Sequence, residues 1–140
     1  MNAVRWILSF SLAAGTFAQT PAGKPEQSRQ ILEDALQDKN PDTRKQAVMA
    51  MSLAASREPF LSRLQSMLKD NDVEVRIAVI SSMVDIRDKR TLISLHDALN
   101  DEVPEVAFAA ARALRSLNDP AGKEALLSIL SGESKASSGF

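Results

Sequence analysis

The stretch Asp70-Asn71-Asp72-Val73-Glu74-Val75-Arg76-Ile77-Ala78-Val79-Ile80-Ser81-Ser82-Met83 decides the fold. Asp72 belongs to the few residue types whose side-chain oxygen satisfies the free N–H groups that open a helix. Behind it, Val75, Val79, Ile80 and Met83 fall at i, i+4, i+5 and i+8, one face of a 3.6-residue period. The string therefore reads as an acidic turn followed by an amphipathic helix. It occurs three times: Asp38 to Met51 precedes it by 32 residues, and Asp101 to Leu114 follows it by 31.

Ahead of each copy lies a second helical block. Leu32 and Leu36 correspond to Leu64 and Leu68, to Leu95 and Leu99, and to Leu126 and Leu130. The unit is thus helix A, turn, helix B. One such pair leaves an apolar face on each side, so neighbouring pairs must stack. The expected fold is all-α: a right-handed α-solenoid of about three and a half helix pairs. Helix A is placed at 26–38, 59–69, 90–100 and 121–131, and helix B at 41–55, 73–86 and 104–117. Asn40-Pro41, Asp72, Asp88 and Asp119-Pro120 mark starts, and Pro59 and Pro104 suit first helical positions. Val103 stands where Asn40 and Asp72 cap, which predicts a weaker start. In the B stripes Ala47, Val48, Met51 and Ala54 face the core, as do Val106, Ala110, Ala111, Leu114 and Leu117.

Asp-x-Asp-x-x-Val-Arg resembles the HEAT-like repeats that also occur in phycobilin lyases. Asp70, Asp72, Val75 and Arg76 carry the resemblance best. Asp38 and Arg44 carry it in the first copy, with Thr43 in place of the valine. In the third copy Asp101 and Val106 match, but Ala107 replaces the arginine. The resemblance covers residues 26 to 131 and identifies a fold better than a function. It implies a ladder of turn aspartates and arginines, Asp38, Arg44, Asp70 and Arg76, that lapses at Ala107. It also implies that the B helices line a concave side.

The ends read differently. Arg5 precedes a short apolar run from Trp6, and the run closes on Thr16-Phe17-Ala18. That is a secretory signal pattern, too short to span a bilayer comfortably. Cleavage after Ala18 is expected, with an uncleaved anchor as the alternative. Removal of residues 1–18 takes away one arginine, so the net charge of −1 becomes −2. Residues 19–25, with two prolines and a glycine, read as a flexible arm. Repeats then occupy about 26–55, 59–87 and 89–118, with a half repeat at 119–131 and a polar, disordered tail at 132–140. The expected location is the bacterial periplasm or the medium, by a Sec-type route.

Composition excludes several functions. The chain has 44% hydrophobic and 25% charged residues and no cysteine. Disulfides, thiolate nucleophiles and cysteine-bound zinc are thereby ruled out. No basic excess points to nucleic acid or anionic lipid. Beyond the leader the aromatic residues are Phe60, Phe108 and Phe140, too few for base or sugar stacking.

Catalytic and metal readings find little. Asp70, Asp72 and Glu74 alternate like the start of a calcium loop, but Val75 and Ser81 stand where glycine and the closing glutamate are needed. His96, the one histidine, lies beside Asp97 with no nucleophile elbow near it, and reads as a surface helix residue. HEAT-like deoxyhypusine hydroxylases hold iron with repeated His-Glu pairs, and none occurs here. We expect no enzyme, cofactor or metal. The helix A residues Glu33, Arg63, Lys69, Lys89 and Arg90 read as a solvated face.

The B helices offer a surface instead. Three columns point away from the core stripe: Lys45, Ile77 and Phe108; Met49, Ser81 and Arg112; Ser52, Val84 and Arg115. An apolar centre flanked by arginine suits a protein or peptide partner. The opposing reading half-buries the same residues between adjacent B helices. The expected function is an exported interaction scaffold, with a spacer in a longer array or a lyase-type subunit as alternatives. End-to-end self-association is a further expectation from the unpaired last A helix.

Overall fold

The computed structural model describes residues 24–55 and 58–132. Seven α-helices follow in order: α1 (Lys24–Ala35), α2 (Pro41–Ser52), α3 (Phe60–Ser66), α4 (Val73–Ile86), α5 (Thr91–Ala98), α6 (Pro104–Ser116) and α7 (Pro120–Ser131). A 3₁₀ turn at Met67–Lys69 extends α3. The described residues contain no strand. None of their helices is long and apolar enough to cross a membrane. The leader, most of the 19–25 arm and the tail beyond Gly132 lie outside the described residues.

The starts follow side-chain chemistry. Asn40 Oδ1 accepts the Asp42 N–H at 2.9 Å, and Asp72 Oδ1 accepts those of Glu74 and Val75 at 3.0 and 3.2 Å. Asp119 Oδ1 caps α7 through the Ala121 N–H at 3.0 Å. Val103 caps α6 with no side-chain bond. Several boundaries depart from the sequence reading, among them the end of α1 at Ala35 and the cap of α5 at Arg90 in place of Asp88. Helix α1 begins at Lys24, inside the expected arm, because proline is tolerated in a first turn where its missing N–H has no partner to lose. Pro59 stands at the cap of α3 and not at its first helical position. Helix α2 ends at Ser52, so the chain turns before Ala54, and Ala55 takes the buried place.

One core runs through the stack. Leu36, Val48, Met51, Leu64, Val75, Val79, Met83, Leu95, Val106 and Leu114 join in it. Full burial of such a side chain contributes roughly 1.5–3 kcal/mol, which is why the repeated stripe sets the architecture. The closest helix contacts join α2 to α4, α4 to α6, and α6 to α7. No pair among α1, α3 and α5 packs as closely. Helices α2, α4 and α6 therefore form the more closely packed layer.

The repeats are tied at their turns. Arg44 Nε and Nη2 donate to the two Asp70 carboxylate oxygens at 2.8 Å each, while Nη1 donates to the Asp38 carbonyl at 2.8 Å. Arg76 does the same one repeat on: Nη1 reaches the Asp70 carbonyl at 2.7 Å and Nη2 reaches Asp101 Oδ1 at 3.0 Å. Arg76 Nε lies 3.0 Å from Asp101 Oδ2 but off the hydrogen-bond line, so the second rung is the looser one. Ala107 offers no third. Each turn also folds on its own aspartate, with Asp38, Asp70 and Asp101 accepting the N–H two residues on.

Candidate functional site

An open groove of about 320 Å³ lies between α4 and α6. Its α4 wall is Ile77, Ile80, Ser81, Val84 and Asp85, and its α6 wall is Ala109, Arg112, Ala113 and Ser116. The groove exists because of a size mismatch. Ala109, Ala113 and Ser116 are small and follow the i, i+4, i+7 spacing of one helical face, so α6 leaves room opposite the branched side chains of α4.

Four of the sequence-predicted residues meet here: Ile77, Ser81, Val84 and Arg112. Ile77 and Val84 are half-buried and also touch the core, so the apolar floor is part of the packing and not a free ridge. Phe108 stands beside the groove, 40% exposed, with the Arg112 guanidinium 5.9 Å from its ring centre. That distance is within reach of a cation–π contact. The remaining columns do not line this groove. Lys45 pairs with Asp42 at 2.9 Å, Ser52 donates its hydroxyl to the Met49 carbonyl at 2.7 Å, and Met49 is 63% exposed on α2. Arg115 is exposed and makes no ion pair among the described residues.

Sequence reasoning passed over Ala109, Ala113, Asp85 and Ser116. Ala109 corresponds to Ala78 and Gln46 and Ala113 to Ser82 and Ala50, so the alanines do not stand out in the sequence, and only packing turns a small residue into a gap.

A second groove, of about 530 Å³, runs between successive turns and is lined by Asp70, Asn71, Arg76, Asn100, Asp101 and Glu102 among others. Its charges are spent on each other. Burial acts to raise the Asp70 carboxyl, but the Arg44 hydrogen bond, the Asp72 backbone N–H and the charges of Arg44 and Arg76 outweigh it. They hold Asp70 below the ordinary carboxylate range. The Asp70 hydrogen bond likewise raises Arg44.

The opposite edge carries a second set of links that the sequence reading missed. Gln65 Nε2 donates to the Arg90 carbonyl at 3.1 Å, and His96 Nε2 lies 3.1 Å from Asp119 Oδ2. Gln65 and His96 are equivalent positions of successive repeats, so each A helix touches the start of the next. Arg90 joins Glu58 at 2.8 Å and Asp88 at 2.7 Å. Its hydrogen bond, first among the causes, lowers the Asp88 carboxyl. His96 is a contact between repeats and not a lone surface residue. Among the described residues no group of His, Cys, Asp and Glu could hold a metal ion.

Comparison with known proteins gives one finding. The family described as HEAT repeats matches residues 60–136, from α3 through α7 and more than half of the chain. The first pair, α1 and α2, precedes the matched stretch; its place in the array rests on spacing and packing. No curated protein matches the chain.

Proposed function

Since the chain belongs to the HEAT-repeat family, whose members commonly serve as protein-interaction scaffolds and are generally not catalysts, we propose that it holds a protein or peptide on the inner face of α2, α4 and α6. The observation that carries this reading is the open groove between α4 and α6, with Phe108 exposed at its side and Arg112 on its wall. An exposed aromatic beside an apolar trough, with arginine near it, is the composition that anchors partners. The work is binding and needs no covalent step. The leader pattern supports export, so the partner is sought in the periplasm or outside the cell.

Pull-down with the full tagged chain, from exported and cytoplasmic fractions in parallel, tests this. The control is Phe108→Asp with Met49→Asp, two exposed positions whose change spares the core. A protein retained by the wild type from the exported fraction and lost with the double variant is the expected result. A partner held equally by both places binding on another face.

A second reading, also ours, is that copies stack end to end. Ala50 is exposed on α2, while its equivalents Ser82 and Ala113 are buried at 4% and 5%. At the other end Leu127 and Leu130 of α7 are 56% and 79% exposed, and no described helix follows to cover them.

A further inference from the structure

Resting on the end-to-end reading above, we propose that its seam is asymmetric: Leu127 at the end of one copy meets Ile31 at the start of the next, in the register that Glu33 and Arg63 hold inside the chain. Two positions on the A helices carry the argument, each counted from the repeated leucine Leu32, Leu64, Leu95 or Leu126. The residue after it is Glu33, Gln65, His96 and, in α7, Leu127. Inside the chain this position reaches forward. Glu33 Oε2 lies 3.7 Å from Arg63 Nη2, Gln65 Nε2 donates to the Arg90 carbonyl at 3.1 Å, and His96 Nε2 lies 3.1 Å from Asp119 Oδ2. The residue before the leucine is Ile31 in α1 and Arg63 in α3, and Arg63 reaches back to Glu33.

At the two ends of the described stack both positions turn apolar. The forward residues Glu33, Gln65 and His96 are polar, but Leu127 is a leucine and 56% exposed. The backward residues Arg63, Ser94 and Ala125 are polar or small, but Ile31 is an isoleucine and 67% exposed. The B layer repeats the change at the first repeat. Ala50 is exposed where its equivalents Ser82 and Ala113 are buried, and Leu53, one turn on along the same face, is 90% exposed where Asp85 and Ser116 are polar. A repeat that ends in solvent calls for a polar outer face, the reverse of this pattern. A second copy answers both ends at once, because the forward Leu127 of one chain finds its register partner in the backward Ile31 of the next. A different partner that covered α7 would leave Ile31 and Leu53 unaccounted for. The contact is heterologous, so each joined pair keeps one free end of each kind.

Light scattering of the full chain as Ile31→Lys, as Leu127→Lys and as their equimolar mixture tests the seam. Both substitutions fall on exposed positions and spare the core. Each variant alone is expected to stay monomeric at concentrations where the wild type grows, because one of its two ends is blocked. The mixture is expected to reach the mass of a pair and stop there, since the intact Leu127 end of one variant meets the intact Ile31 end of the other. An Ile31→Lys chain that associates by itself like the wild type would overturn the seam in favour of α7 against α7, with end-to-end association still standing. A Leu127→Lys chain that does so would overturn it in favour of pairing through the first repeat. A mixture that stays monomeric beside an associating wild type would overturn it as well. If the wild type is monomeric at every concentration, the seam falls together with the reading it rests on.

Discussion

Asp70 accepts two hydrogen bonds from Arg44 and one from the Asp72 backbone. These contacts favour its ionised form in the folded state, and its carboxyl titrates below the ordinary value. The sign follows from linkage. A carboxylate depressed on folding contributes stability above its unfolded pKa, about 3.9, and that contribution is lost as pH falls through the lower folded value. The stability gap between the wild type and Asp70→Asn is therefore expected to be widest at neutral pH and to close below about pH 4. Urea unfolding across that range measures it. A gap independent of pH would mean that the Arg44 pair is not what Asp70 contributes. The ladder residues are legible in the sequence, since aspartate and arginine recur at fixed places. His96 is legible only as a histidine. Its contact with Asp119 joins residues 23 positions apart, which spacing alone does not reveal.

Helix α7 shows how one residue positions an element. A Cβ built on Gly122 would run into the Arg115 nitrogen and lie 2.7 Å from the Ala111 carbonyl oxygen, both backbone atoms of α6. No flexible side chain is there to yield. Gly122 is the third residue of α7, and having no Cβ it permits direct backbone approach. Gly122→Ala is expected to destabilise the protein by about 1–3 kcal/mol in spite of alanine's better propensity. Thermal unfolding gives the answer, and a raised Tm would mean that α7 does not sit on α6. Along the chain, helix α6 contrasts with α4: Asp72 caps α4 through two N–H groups, whereas Val103 gives α6 none. The sequence foretold that weakness at Val103, because capping is local chemistry.

Across the whole molecule, the stack presents the same kind of surface at its ends that it buries inside. Leu64 and Leu95 are fully buried, and Leu130 of α7, equivalent to half-buried Leu68 and Leu99, is 79% exposed. A face of this sort, joined head to tail with the Ala50 end of α2, repeats without closing unless the rotation forms a ring. Light scattering of the full chain is expected to show a mass that rises with concentration. Leu127→Lys with Leu130→Lys is expected to return it to the monomer. A monomeric mass at every concentration would end the stacking reading and leave inner-face binding untouched.

The sequence by itself determined the helix order of the described residues, the pairing into repeats and most caps. Each depends on neighbours within about one helical turn or on a recurrence of apolar residues that burial requires. It also brought Ile77, Ser81, Val84 and Arg112 onto one face. Only the tertiary structure decided that Ile77 and Val84 are half-buried, that Ala109 and Ala113 open a groove opposite them, and that Lys45, Met49 and Ser52 stand outside it. A periodic pattern fixes the direction in which a side chain leaves its helix. How deep it sits depends on how near the next helix comes, and that distance is set by residues such as Gly122 that belong to another element.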